Sequence, residues 1–142
     1  MAMKETLRSL TAYFLVVGTI AIAITIRDAT RLDQMKGLTG GQTFAVYFGI
    51  ALTLVLGAAY LFAGVSLKRA LTSGAGWIKT LVLLSGVAVI IDTAIAVSMI
   101  GDLPGVRTAA IIRCVIGILI AFYLHTNITR LARETNQGPT IA

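Results

Sequence analysis

Four long apolar stretches, separated by short clusters of polar and basic residues, set the pattern of this chain. Residues 9–26, 44–67, 77–100 and 106–129 each match the roughly 17–25 residues that a helix needs to cross a bilayer core of about 30 Å. The pattern predicts an all-α fold: an integral membrane four-helix bundle, up-down-up-down, with neighbours crossing at about 20°. Residues 1–142 then form a single transmembrane domain with little mass outside the membrane. Residues 9–26 follow Lys4 and Arg8 and resemble a signal sequence. Their apolar run exceeds the 7–15 residues of a typical signal core, so they are read as the first span.

Within the spans, small residues recur at helical spacing. Thr11, Gly18 and Thr25 fall every seventh position in the first, and Ala45, Gly49, Thr53 and Gly57 every fourth in the second. Stripes of this kind let helix backbones approach closely in lipid. Gly18, Gly49, Thr53, Gly57, Ser85 and Gly117 are accordingly expected at helix-packing faces. Tyr47, Tyr60 and Trp77 lie near span ends, where aromatic rings anchor at the head-group level.

Two ionisable residues break the apolar pattern. Asp92 stands eleven positions before Leu103 and Arg113 ten positions after it, on spans joined by a turn at residues 101–105. An antiparallel hairpin brings them to nearly the same depth, about 13 and 10 Å below the ends of their spans. A charge inside a membrane costs roughly 2.5–3.5 kcal/mol on insertion scales, so an intramembrane ion pair of Asp92 with Arg113 is expected. Ser85, Ala88, Asp92, Ala96 and Met99 share one stripe, while Arg113 shares a side with Ala109, Gly117 and Leu124; both charges should therefore turn inward, away from lipid.

The connections differ in charge. Residues 27–42 hold Arg27, Asp28, Arg31, Asp33 and Lys36 and form the longest one, expected as a solvated connector with a short helical turn and as a possible partner surface. Lys68, Arg69 and Lys79 flank the second connection, Ser73-Gly74-Ala75-Gly76. The tail, residues 135–142, contains Asn136, Gly138 and Pro139 and is expected to be irregular. Tyr60-Leu61 with Val65-Ser66 is echoed 63 residues later by Tyr123-Leu124 with Ile128-Thr129, a faint sign of a duplicated hairpin.

Composition narrows the class further. The chain is 57% hydrophobic and 13% charged, against about 25% charged in soluble domains. Its net charge of +6 comes from bases at the ends of apolar runs, which suits lipid head groups and argues against nucleic acid. The N-terminus, second connection and C-terminal flank carry Lys4, Arg8, Lys68, Arg69, Lys79, Arg130 and Arg133; the other two connections carry Arg27, Arg31, Lys36 and Arg107. Seven against four predicts both termini in the cytoplasm, in a bacterial-type inner or plasma membrane.

Candidate chemistry is sparse. Cys114 is the one cysteine and His125 the one histidine, so neither a disulfide nor a metal site or haem held by this chain alone is expected, and no cofactor is expected. No nucleotide-binding glycine pattern or nucleophile elbow occurs. Asp28, Asp33 and Asp102 are placed in connections, which leaves no two carboxylates to share a pocket. An enzyme is not expected. The sequence points instead to a small non-catalytic membrane subunit, an accessory component of a larger complex or of a homo-oligomer, with the bilayer and other membrane subunits or its own copies as partners. The alternative is a small oligomeric transporter or channel, coupled to ions or protons through Asp92 and Arg113.

Overall fold

The computed structural model describes residues 2–34, 36–100 and 104–138. Gly101, Asp102 and Leu103 of the expected turn, and Pro139 to Ala142 of the tail, lie outside the described residues. Four helices follow in order: α1 (Ala2–Thr30), α2 (Gly40–Thr72), α3 (Gly76–Ile100) and α4 (Val106–Gln137), with one short 3₁₀ turn (Leu32–Gln34) between the first two. All four are long and apolar enough to cross a membrane. This is an all-α four-helix bundle and an integral membrane protein.

Local chemistry extends three of the helices past their apolar runs. α2 starts at Gly40 because Thr39 and Gln42 form a capping box: the Gln42 amide donates to Thr39 Oγ1 at 3.3 Å and the Thr39 amide donates to Gln42 Oε1 at 3.0 Å. Two of the helix's otherwise unpaired N–H groups are satisfied in this way. α1 continues through Arg27, Asp28 and Thr30, so the first connection is shorter than residues 27–42. The 33 residues of α2 make a rod of about 50 Å, well beyond the hydrocarbon thickness.

The tail also departs from expectation, since residues 135–137 are helical. Asn136 Nδ2 donates to Leu71 O at 3.2 Å and to Ala132 O at 2.8 Å, tying the last turn of α4 to the end of α2. Gly138, at φ +65°, ends the helix. Between α2 and α3 the chain reverses within three residues. Gly74 and Ala75 both take positive φ, and the Ala75 amide donates back to Ala70 O at 2.8 Å. A left-handed alanine costs about 1–2 kcal/mol, offset here by complete burial of its methyl against the core.

Neighbouring helices run antiparallel, so the start of α1, the end of α2, the start of α3 and the end of α4 gather at one end of the bundle. The core sits there. Phe14, Leu67, Ile78, Val82, Ile128 and Leu131 are its largest fully buried side chains. Phe14 and Tyr60 pack with ring centroids 5.2 Å apart. Tyr60 is only 8% exposed, so this ring is a core residue and not an interfacial anchor. Trp77 and Tyr47 are exposed, and Trp77 lies against Phe62. Tyr60 and Ile128 are buried whereas Tyr123 and Val65 are exposed, so the two echoed segments occupy unlike environments.

Toward the opposite end the bundle parts into two hairpins, α1 with α2 and α3 with α4. Among the described residues, none after Val82 in α3 and none before Leu124 in α4 is buried. Buried side chains thus gather where α1 and α3 begin and α2 and α4 end, and a cleft lies between the hairpins toward the other end.

Candidate functional site: the cleft between the hairpins

Each hairpin is held at its seam by glycine. A Cβ built on Gly18 would come within 2.8 Å of Gly57 O and 2.9 Å of Leu61, closer than real Cβ atoms approach. Gly64 meets Leu15 at 2.9 Å in the same way, and Gly117 meets Val89 at 2.9 Å in the second hairpin. Gly57 and Gly86 face Ala21 and Ala121 at ordinary to tight distances of 3.1 and 3.4 Å. Gly49 differs, because nothing lies within 4 Å of where its Cβ would be. Gly49 thus meets no neighbour at its Cβ position, and with Thr53 and Ala45 it borders the space between the hairpins. The stripe on α2 divides: Gly57 packs on α1, and the rest of it lines a cleft.

This cleft has a volume of about 580 Å³. Tyr13 and Tyr60 stand at its deep end near the core, with the Tyr60 phenol beside the Ser85 hydroxyl. Ser85 Oγ itself donates to Leu81 O at 2.8 Å, the ordinary way a serine satisfies its hydroxyl within an apolar helix. Val17, Ile24, Leu52, Leu56, Val89 and Ile95 form much of its wall. The stripe of α3 faces it, with Ser85, Ala88 and Asp92 along the main cleft and Ala96 and Met99 along its extension of about 300 Å³.

Arg113 Nη2 donates to Asp92 Oδ2 across the α3–α4 seam, and both residues line the cleft. Ser85 and Gly117 stand on the same helices nearer the core. The pair is not buried within the chain: the Arg113 side chain is 71% exposed and that of Asp92 51%. Both side chains border the space between the hairpins, and that space leaves them exposed. Among the described residues this is the one side-chain hydrogen bond of the guanidinium, which has five N–H donors.

A second ion pair borders the same cleft. Arg27 Nη2 and Asp28 Oδ1 are 2.9 Å apart near the end of α1, and both side chains line the cleft wall. Asp28 and Asp92 also border the extension together. The expectation that Asp28 sits in a connection, apart from other carboxylates, is thus corrected, and the reason is the continuation of α1 past its apolar run. A helical reading carried through Arg27 and Asp28 would have placed Thr25 and Asp28, three positions apart, on one face. Arg31 and Lys36 lie in the connection itself and Asp33 in its 3₁₀ turn; all three are exposed and none lines the cleft.

Compared with known protein families, curated proteins and solved structures, the chain matches none. The cleft must therefore be read from its own chemistry. It combines apolar walls, two ion pairs at different depths and a tyrosine-serine floor, and it is open on the side of the first and third connections.

Proposed function

We propose that this chain is a small non-catalytic membrane subunit that works packed against other membrane-spanning chains, either a larger complex or copies of itself. The half-exposed Asp92–Arg113 pair carries this reading. Charged side chains facing hydrocarbon each cost several kcal/mol, and a helix of another chain seated between the hairpins would remove them from lipid. The glycine and alanine positions that stay unfilled along the cleft, Gly49 and Ala45 among them, suit the close approach of such a helix. Short connections and slight extramembrane mass favour a structural role over a catalytic one. The two acids bordering one gap remove one of the arguments against chemistry without supplying a reaction. Both termini are assigned to the cytoplasm on the balance of Lys and Arg, in a bacterial-type inner or plasma membrane.

A transport reading has its own support, because Asp28, Asp92 and both arginines line a cleft open toward one end of the bundle. Water entering there would solvate the pairs and make Asp92 accessible to protons. Native mass spectrometry from mild detergent, followed by ion flux in proteoliposomes, separates the two. A heteromeric assembly without flux supports the subunit reading. A chain that travels alone or only with itself, and conducts ions in a manner abolished by Asp92→Asn, overturns it in favour of transport.

A further inference from the structure

On the outer face of the first hairpin, away from the cleft, a groove of about 470 Å³ runs between α1 and α2. Its rim carries three bases. Lys4 and Arg8 are four residues apart and share one face of α1, while Lys68 rises from the last turns of the antiparallel α2. Among the described residues the ion pairs join Arg27 to Asp28, Arg113 to Asp92 and Arg130 to Glu134, and the three rim bases belong to none. Glu5, their nearest acid in sequence, lines a different crevice, between α1 and α4. Among the described residues the groove thus has a rim of three like charges outside any ion pair.

Its floor is different in kind. Leu15 lies seven residues below Arg8, about 10 Å deeper along α1, and packs closely over the buried Gly64, so that the floor is a closed apolar α1–α2 seam. Val65 forms the opposite wall and is exposed. Between rim and floor stands Thr11. Thr6, Thr19 and Thr25 on the same helix donate their hydroxyls to the carbonyl four residues back. Among the described residues the Thr11 hydroxyl has no protein partner, although it is half-buried and lines the groove.

We propose that this groove is a binding site for one anionic phospholipid. The phosphate sits among Lys4, Arg8 and Lys68, the glycerol-ester region meets the Thr11 hydroxyl, and an acyl chain lies along Leu15, Gly64 and Val65. The vertical order of the groove matches that of a lipid: cationic at the head-group level, hydroxylic below it, apolar within the hydrocarbon. Three bases outside any ion pair among the described residues select a net negative head group over a zwitterionic one. The apolar lane over Leu15 and beside the exposed Val65 gives a chain a surface to lie on, where bases on a bare helix surface would hold only a diffuse ionic atmosphere.

The full-length protein in mild detergent, given phosphatidylglycerol or phosphatidylcholine and read by native mass spectrometry, tests this. One phosphatidylglycerol should be retained in preference to phosphatidylcholine. The combined variant Lys4→Gln, Arg8→Gln, Lys68→Gln should lose affinity by roughly a hundredfold, at about fivefold per base. The combined variant Lys79→Gln, Arg107→Gln, Arg133→Gln, with the same change in net charge, should keep it. Val65→Trp, which fills the apolar lane and leaves every charge in place, should also expel the lipid. Equal loss in both charge variants, equal retention of phosphatidylcholine, retention in Val65→Trp, or displacement by millimolar inorganic phosphate would each overturn the proposal. Circular dichroism of each variant verifies that the helices persist, and the exposed positions of Lys4, Arg8, Lys68, Arg107 and Arg133, with Lys79 half-buried, make that the expected result.

Discussion

The closed and open ends of the bundle are made from the same apolar alphabet, yet only one of them packs. At the closed end, large side chains from all four helices interlock around Phe14, Leu67, Ile78 and Ile128. Toward the open end, small and charged positions, Gly49, Thr53, Ala88, Ala96 and Asp92, interrupt the apolar walls, and a cleft lies between the hairpins. A small residue permits close approach and does not cause it. In lipid, where burying leucine against leucine gains little over leucine against an acyl chain, the fit of the contact surfaces decides. The seam of the first hairpin has this fit, because Gly18 admits the backbone of Gly57. Gly49 meets no such partner in this chain.

Perturbations at the two ends should therefore differ sharply. Gly18→Val forces a branched side chain into Gly57 O and Leu61, and should cost about 3 kcal/mol or more, read as a fall in unfolding temperature in detergent. A variant as stable as the parent would mean that the hairpin seam is not as drawn. Phe14→Ala empties the centre of the closed end beside Tyr60, at a cost of about 3 kcal/mol in the same measurement. Asn136→Ala, which removes the bond from α4 to Leu71 O, should cost about 1 kcal/mol and loosen amide exchange protection over residues 131–137 first.

The open end should be tolerant. In the isolated chain, with no partner in the cleft, exchanging the Asp92–Arg113 pair for Asn and Gln together should change stability by less than about 1 kcal/mol, since a pair this exposed contributes little. Loss of several kcal/mol would instead place the pair in a dry environment within an assembly. Gly49→Ala sharpens the contrast most finely. It should be neutral or stabilise the isolated chain by up to about 1 kcal/mol, because alanine favours the helix and meets open space. If it dissociates an assembly while leaving the monomer intact, Gly49 is a contact between chains.

The class of the protein was legible in the run lengths, because a bilayer sets a length that little else in a sequence imitates. The approach of Asp92 and Arg113 was legible too, since antiparallel registry from a short turn fixes relative depth. Helix ends were less so. The pattern of apolar positions ends where the lipid ends, whereas the helices end where their backbone groups find caps, at Thr39 and Gln42 for α2 and at Gly138 for α4. That difference carried Arg27 and Asp28 out of a presumed connection and into the cleft wall. Tyr60 was misplaced for a related reason: position along a span gives depth in the membrane, while burial depends on which face meets Phe14.

By itself the sequence determined that four helices cross a membrane, that they alternate in direction, and that one acid and one base on the second hairpin lie level. Those follow from length, turn spacing and the high energy of lone charges in lipid, all of which are local or one-dimensional. Only the tertiary structure decided that the hairpins meet at one end and part at the other, because that depends on the shapes of surfaces far apart in the chain. The same shapes divided a single stripe of small residues into a packed seam and a cleft wall.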